Sequence, residues 1–132
     1  MRGRKPDQIQ SDQDAIANVP APPAWLSKDG KAEWRRIMPL LVERRILTDA
    51  DMGSVEAYCT ATGLVREMQR TIAREGAIIT TERGPRKHPA VAIQADGMNR
   101  ARLLAAELGL TPVSRSRPSV RDDEDEISAL DI

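Results

Sequence analysis

The chain has 132 residues, with twenty basic and twenty acidic side chains, one cysteine, one histidine, two tryptophans, one tyrosine and no phenylalanine. That length allows one compact domain. The lone Cys59 excludes a disulfide framework and a cysteine zinc cluster, and no apolar run approaches the roughly 20 residues a membrane span needs.

The zero net charge conceals a segregation. Six of the twenty acids follow Arg121, so residues 1–121 carry twenty bases against fourteen acids. A basic body with an acidic end suggests one surface for a polyanion and a separate tail for a protein or for self-masking. Two solvated termini are the bland alternative.

Residues 1–24 read as a flexible basic arm that ends in a stiff, polyproline-like Val19-Pro20-Ala21-Pro22-Pro23. Its start, Arg2-Gly3-Arg4-Lys5-Pro6, approximates the Arg-Gly-Arg-Pro core of an AT-hook, in which arginines lie along a narrow minor groove. Lys5 interrupts the match, but a basic arm steering the protein to phosphates needs no exact motif. Arg2, Arg4 and Lys5 are therefore expected DNA contacts, with solubilising charge as the alternative.

Residues 25–113 read as a helical core and oligomerisation region. Ser27 can cap a helix from Lys28, with Ala32, Trp34, Ile37, Leu40 and Leu41 inside and with Trp25 and Leu26 laid across the same core. Pro39 predicts a kink or the start of a second short helix. A longer helix follows from Thr48, with Asp49 and Asp51 in its first turn and Gly76 as its stop. Val55, Tyr58, Ala61, Val65, Met68 and Ile72 form its apolar stripe. Gly53 and Gly63 suit close backbone approach. Arg66, Arg70 and Arg74 stack on another face, where phosphate contact, a solvated face and salt bridging between subunits are all open readings.

In the connector, Ile78-Ile79-Thr80-Thr81 favours a strand and Gly84-Pro85 a turn, which allows a small β-hairpin with a weak second strand. Arg83, Arg86 and Lys87 make this stretch basic and are further candidate DNA contacts. A second long helix runs from about Ala90, with Ala92, Ala95, Met98, Ala101, Ala105 and Leu108 on one stripe and Gly109 as stop. The fold class is thus all-α: two long antiparallel helices and a shorter N-terminal one. A core so small and poor in aromatics predicts self-association. Residues 114–132 read as a flexible tail. Asp122, Asp123, Glu124, Asp125 and Glu126, followed by Ile127 and Leu130, could form a short amphipathic handle for a partner or mask the body's basic surface.

Catalytic readings find little support. There is no Gly-x-x-x-x-Gly-Lys-Ser/Thr loop for a triphosphate. His88 has no acid beside it in sequence to orient its ring, and reads as a solvated or backbone-bonded loop residue. Cys59 sits mid-helix without a neighbouring cation or base, so it reads as buried and inert. No metal or cofactor is expected.

With these residues in view, the chain resembles the small subunit of a tailed-phage terminase. The resemblance runs through Gly3-Arg4-Lys5-Pro6, Pro22 to Ser27, Glu33-Trp34, Leu47-Thr48-Asp49-Ala50-Asp51, Tyr58-Cys59, Gly76, His88-Pro89 and Leu108 to Arg115. Ile46 departs from it, standing where a Gly-Leu-Thr turn has its glycine. The resemblance implies a non-enzymatic factor of the host bacterial cytoplasm that forms a homo-oligomeric ring and binds double-stranded viral DNA. It also implies recruitment or regulation of the large subunit, which holds the ATPase and nuclease. The alternative is a helix-turn-helix transcriptional regulator, disfavoured by the acids that would open its second helix. A purely structural capsid protein would not need the basic arm.

Overall fold

A computed structural model describes residues 15–45 and 47–112. The arm residues Arg2, Arg4 and Lys5, the tail residues Asp122 to Glu126 with Ile127 and Leu130, and the Ile46 departure lie outside them.

Ser27 caps α1 (Lys28–Glu43), its hydroxyl accepting from the Gly30 N–H at 3.0 Å. Trp34, Ile37, Met38 and Leu41 are fully buried on one stripe of this helix. Each is worth about 1.5–3 kcal/mol relative to exposure. Ala32 and Leu40, expected inside, are exposed. At about 100° per residue Ala32 points away from the Trp34–Leu41 stripe and Leu40 falls at its edge, while Met38 takes the inner place. The helix continues through Pro39 to Glu43 and no second helix begins there. Pro39 and Arg35 are both exposed, so the Arg35 carbonyl that Pro39 cannot serve can turn to water.

The end of the Pro-rich segment is tied to this body. The Ile16 N–H donates to the Leu47 carbonyl at 2.8 Å, and the Trp34 indole N–H to the Pro20 carbonyl at 2.9 Å. Leu26 is buried as expected, whereas Trp25 is 64% exposed.

After α1 the chain turns through Arg45, which holds a left-handed backbone at φ 57°. That conformation costs a residue with a Cβ about 1–2 kcal/mol. Arg45→Gly should therefore raise stability by about 0.5 kcal/mol once the looser unfolded chain is counted. Urea unfolding of the two proteins checks this.

The Asp51 carboxylate accepts from the Thr48 N–H at 2.9 Å and from the Thr48 hydroxyl at 3.1 Å. A 3-10 turn (Asp49–Asp51) then leads into α2 (Met52–Glu75), and Gly76 (φ 88°) ends it. Val55, Tyr58, Cys59 and Ala61 are buried; Val65, Met68 and Ile72 are half-buried. Val65 faces Gly97, which has no side chain to cover it.

Strands β1 (Ile78–Thr81) and β2 (Gly84–Lys87) pair antiparallel, Ile78 opposite Lys87 and Thr81 opposite Gly84. The turn expected at Gly84-Pro85 falls instead at Glu82-Arg83, and Gly84 and Pro85 open β2. Gly84 takes φ 103° there, which lets the chain reverse, and its carbonyl accepts from the Thr81 hydroxyl at 2.8 Å.

The last helix, α3 (Pro89–Glu107), runs antiparallel to α2: Glu75 meets His88, Gln69 meets Gln94 and Ala61 lies beside Gly97. Its packed face differs from the expected stripe. Ala90, Gly97 and Leu108 are buried, Ala101, Leu104 and Ala105 half-buried, and Ala92, Ala95 and Met98 exposed. Gly97 decides this, because the missing side chain lets α2 approach closest there. Gly109 (φ 71°) closes the helix, with Leu110 N–H donating to the Ala105 carbonyl at 2.8 Å in a Schellman motif.

The tightest crossing joins α1 to α2. A Cβ on Gly63 would stand 2.7 Å from Ser27 Oγ and 2.8 Å from the Gly30 nitrogen. Gly53, read alike, has nothing within 4 Å of that position. Ile16, Leu47 and Leu108 share the core at one pole of the bundle, so both ends of the described chain leave it opposite β1–β2.

Candidate functional site

The expected basic row on α2 is largely engaged within the protein. Glu33 sits inside the α1 stripe with its side chain 1% exposed. Its carboxylate accepts two bonds from Arg36, at 2.7 and 2.6 Å, one from the Tyr58 hydroxyl at 2.6 Å, and one from Arg66 at 3.0 Å. Burial would push this carboxyl up, but the Arg36, Tyr58 and Arg66 hydrogen bonds outweigh it and lower the group from 4.5 to about 2. Arg70 pairs with Asp29 of α1, and Arg74 with Glu75 at 3.1 Å. Within this network Arg36 and Arg66 share one carboxylate, so it keeps a surplus positive charge. Both guanidiniums remain partly exposed.

The connector is different. Arg83, Arg86 and Lys87 are exposed on β1–β2 and its turn, with no ion pair among the described residues. The hairpin places these three at the pole away from both ends of the described chain, whereas Arg66, Arg70 and Arg74 line a separate helix face.

Neither reactive side chain is placed for catalysis. His88 accepts the Ala90 N–H on Nδ1 at 2.9 Å, so the neutral ring carries its proton on Nε2, 3.3 Å from the Glu75 carboxylate. An acid does therefore face the ring, from a position 13 residues away that sequence proximity did not reveal. The ring acts as the N-cap of α3. Burial, then the Glu33 charge, pushes the Cys59 thiol up to about 12, so it is not a thiolate at neutral pH.

Two grooves flank the α2–α3 hairpin, and sequence reasoning missed both. The larger, about 760 Å³, carries exposed Trp25, Leu64 and Leu103 and is rimmed by Glu56, Asp96, Glu107 and Arg100. On the other side, Val65, Met98, Ala101 and Ala105 line a smaller groove beside Arg66 and Arg102. Trp25 was expected across the core with Leu26 and instead stands 64% exposed at the larger groove. The signal for Glu33 was an acid beside Trp34 within an apolar stripe.

No helix among the described residues is long and apolar enough to cross a membrane. No curated protein and no solved structure shows significant similarity to the chain. The family model described as phage terminase, small subunit, matches residues 30–125, which takes in α1 but for its first two residues, α2, the hairpin and α3. That match favours a packaging role over a transcriptional regulator. The chain belongs to the phage terminase small-subunit family, and its role lies in phage genome packaging.

Proposed function

We propose that this protein binds double-stranded viral DNA as a homo-oligomeric ring and recruits or regulates the large-subunit ATPase and nuclease, without catalysing a reaction itself. The observation that carries the reading is the exposed trio Arg83, Arg86 and Lys87, cations with no ion pair among the described residues, on the hairpin of a terminase-family chain. The Arg2, Arg4 and Lys5 arm adds further phosphate contacts. Arg70 and Arg74 are weaker contributors, because their charge is already spent on Asp29 and Glu75, and Arg66 shares the Glu33 carboxylate with Arg36. Exposed Trp25 and Leu103 beside the larger groove support subunit contacts, and heterologous contacts that close make rings. Asp122 to Glu126 with Ile127 and Leu130 would offer the large subunit a short acidic–apolar handle.

DNA binding across a salt series tests this. Replacing Arg83, Arg86 and Lys87 together by Ala should flatten the log–log salt slope by about 0.9 for each phosphate that is no longer neutralised. The Arg2, Arg4 and Lys5 triple Ala variant should flatten it separately. Slopes equal to that of the intact chain in both variants would remove the DNA-binding assignment. A monomer by light scattering at micromolar concentration would remove the ring.

A further inference from the structure

We propose that the smaller groove between α2 and α3 is the seat of the protein's own C-terminal segment, residues 122–132. The groove combines two features that DNA alone would not require. Its rim is cationic: Arg66 belongs to the network with surplus positive charge, and among the described residues the Arg102 guanidinium meets only the neutral Asn99 side chain, at 2.8 Å. Its floor is apolar, formed by Val65, Met98, Ala101 and Ala105, with Met98 50% exposed. A phosphate backbone would use the rim and leave the floor wet. An acidic segment that also carries apolar side chains satisfies both.

Residues 122–132 have that composition. Asp122, Asp123, Glu124, Asp125 and Glu126 precede Ile127 and Leu130, which are three residues apart. On a helical turn these two side chains would fall on one face, matching Met98, Ala101 and Ala105 along α3. Charge also selects between the two grooves. The larger one presents Glu56, Asp96 and Glu107 against Arg100 and would repel the same segment.

The length of chain suffices. Twenty residues follow Pro112. Met98 lies ten residues before Leu108, about 15 Å back along α3 at 1.5 Å per residue. The fifteen residues from Pro112 to Ile127 cover about 20 Å even as an unstretched coil. Seating withdraws Ile127 and Leu130 from any other partner and covers Arg66 and Arg102. The segment in its seat thus competes with a partner for the tail and with DNA for Arg66.

Disulfide trapping in the full-length protein tests the seat. Met98→Cys with Ser128→Cys places one thiol on the floor and one beside Ile127 and Leu130. Thr60→Cys with Ser128→Cys is the control, since Thr60 lines the larger groove. Buried Cys59, with its thiol raised to about 12, does not compete. Under mild oxidation the Met98 pair should close within one chain at least about fivefold more than the Thr60 pair. That preference should collapse at 1 M salt, where charges are screened beyond about 3 Å, and in Arg102→Glu. Arg102 is exposed and bonds only Asn99, so this variant keeps its fold, which a thermal melt verifies. Equal closure of both pairs, closure of neither, or a preference indifferent to salt and Arg102→Glu would overturn the proposal. So would covalent dimers as the main product, which would give the seat to a neighbouring copy's segment.

Discussion

Glu33→Ala should lose about 3–5 kcal/mol of stability, among the largest effects of any single substitution in this chain. The carboxylate is buried and is the acceptor for Arg36, Tyr58 and Arg66 at once. Its removal leaves the buried Tyr58 hydroxyl without that acceptor and opens a cavity beside Trp34. The partly exposed arginines can turn to water, which places the cost nearer the lower bound. For a domain of this size even about 3 kcal/mol lowers Tm by more than about 10 °C. Glu33→Gln keeps the volume and should cost less, about 2 kcal/mol, because one amide oxygen can still accept.

The same residue predicts an acid limb. Its folded pKa is depressed, so the stability it contributes is fully present above its unfolded value near 4.5. It is lost as pH falls from 4.5 towards about 2. Urea midpoints measured between pH 7 and pH 2.5 should fall steeply for the intact protein and more gently for Glu33→Ala. Parallel curves would show that the acid sensitivity lies elsewhere.

Gly63→Ala should cost about 2–3 kcal/mol, while Gly53→Ala in the same helix should gain about 0.5–1 kcal/mol. The opposite signs come from opposite surroundings. An alanine at 63 would press on the Gly30 backbone at 2.8 Å, and backbone cannot rotate aside as a side-chain tip can. It would force α1 away from α2 and loosen the Glu33 network that spans them. At 53 the new methyl meets nothing within 4 Å, so only the better helix propensity of alanine remains. Chemical denaturation of the two variants against the parent measures both, and a stabilised Gly63→Ala would show that the crossing has slack.

Features that depend on a few adjacent residues were legible in the sequence. Ser27, Thr48, Gly76 and Gly109 act through bonds to backbone within one turn, and each stands at an element boundary or at the turn leading into one. The hairpin was legible as a strand followed by a turn, but the turn was read two residues late: it falls at Glu82-Arg83, and Gly84-Pro85 already belong to β2. The α3 face was misread because the pattern counted side chains, whereas the closest approach is made by Gly97, which has none. The candidate site was legible as composition only. Arg83, Arg86 and Lys87 could be named as a basic stretch, but their freedom from ion pairs depends on where every acid ends up. Arg66 and Arg70 are tied to partners 33 and 41 residues away, a pairing no local pattern encodes.

Both ends of the described chain leave the bundle at the pole marked by Leu47, and β1–β2 stands at the other. The protomer therefore has a built-in polarity that an experimenter can use. A fluorophore or resin joined to a cysteine placed at Ala17 or at Glu107 sits at that pole, and the basic hairpin faces away from it. Proteins immobilised through either position should present the same surface to a flowing ligand, whereas a label on Glu82 would reverse that orientation.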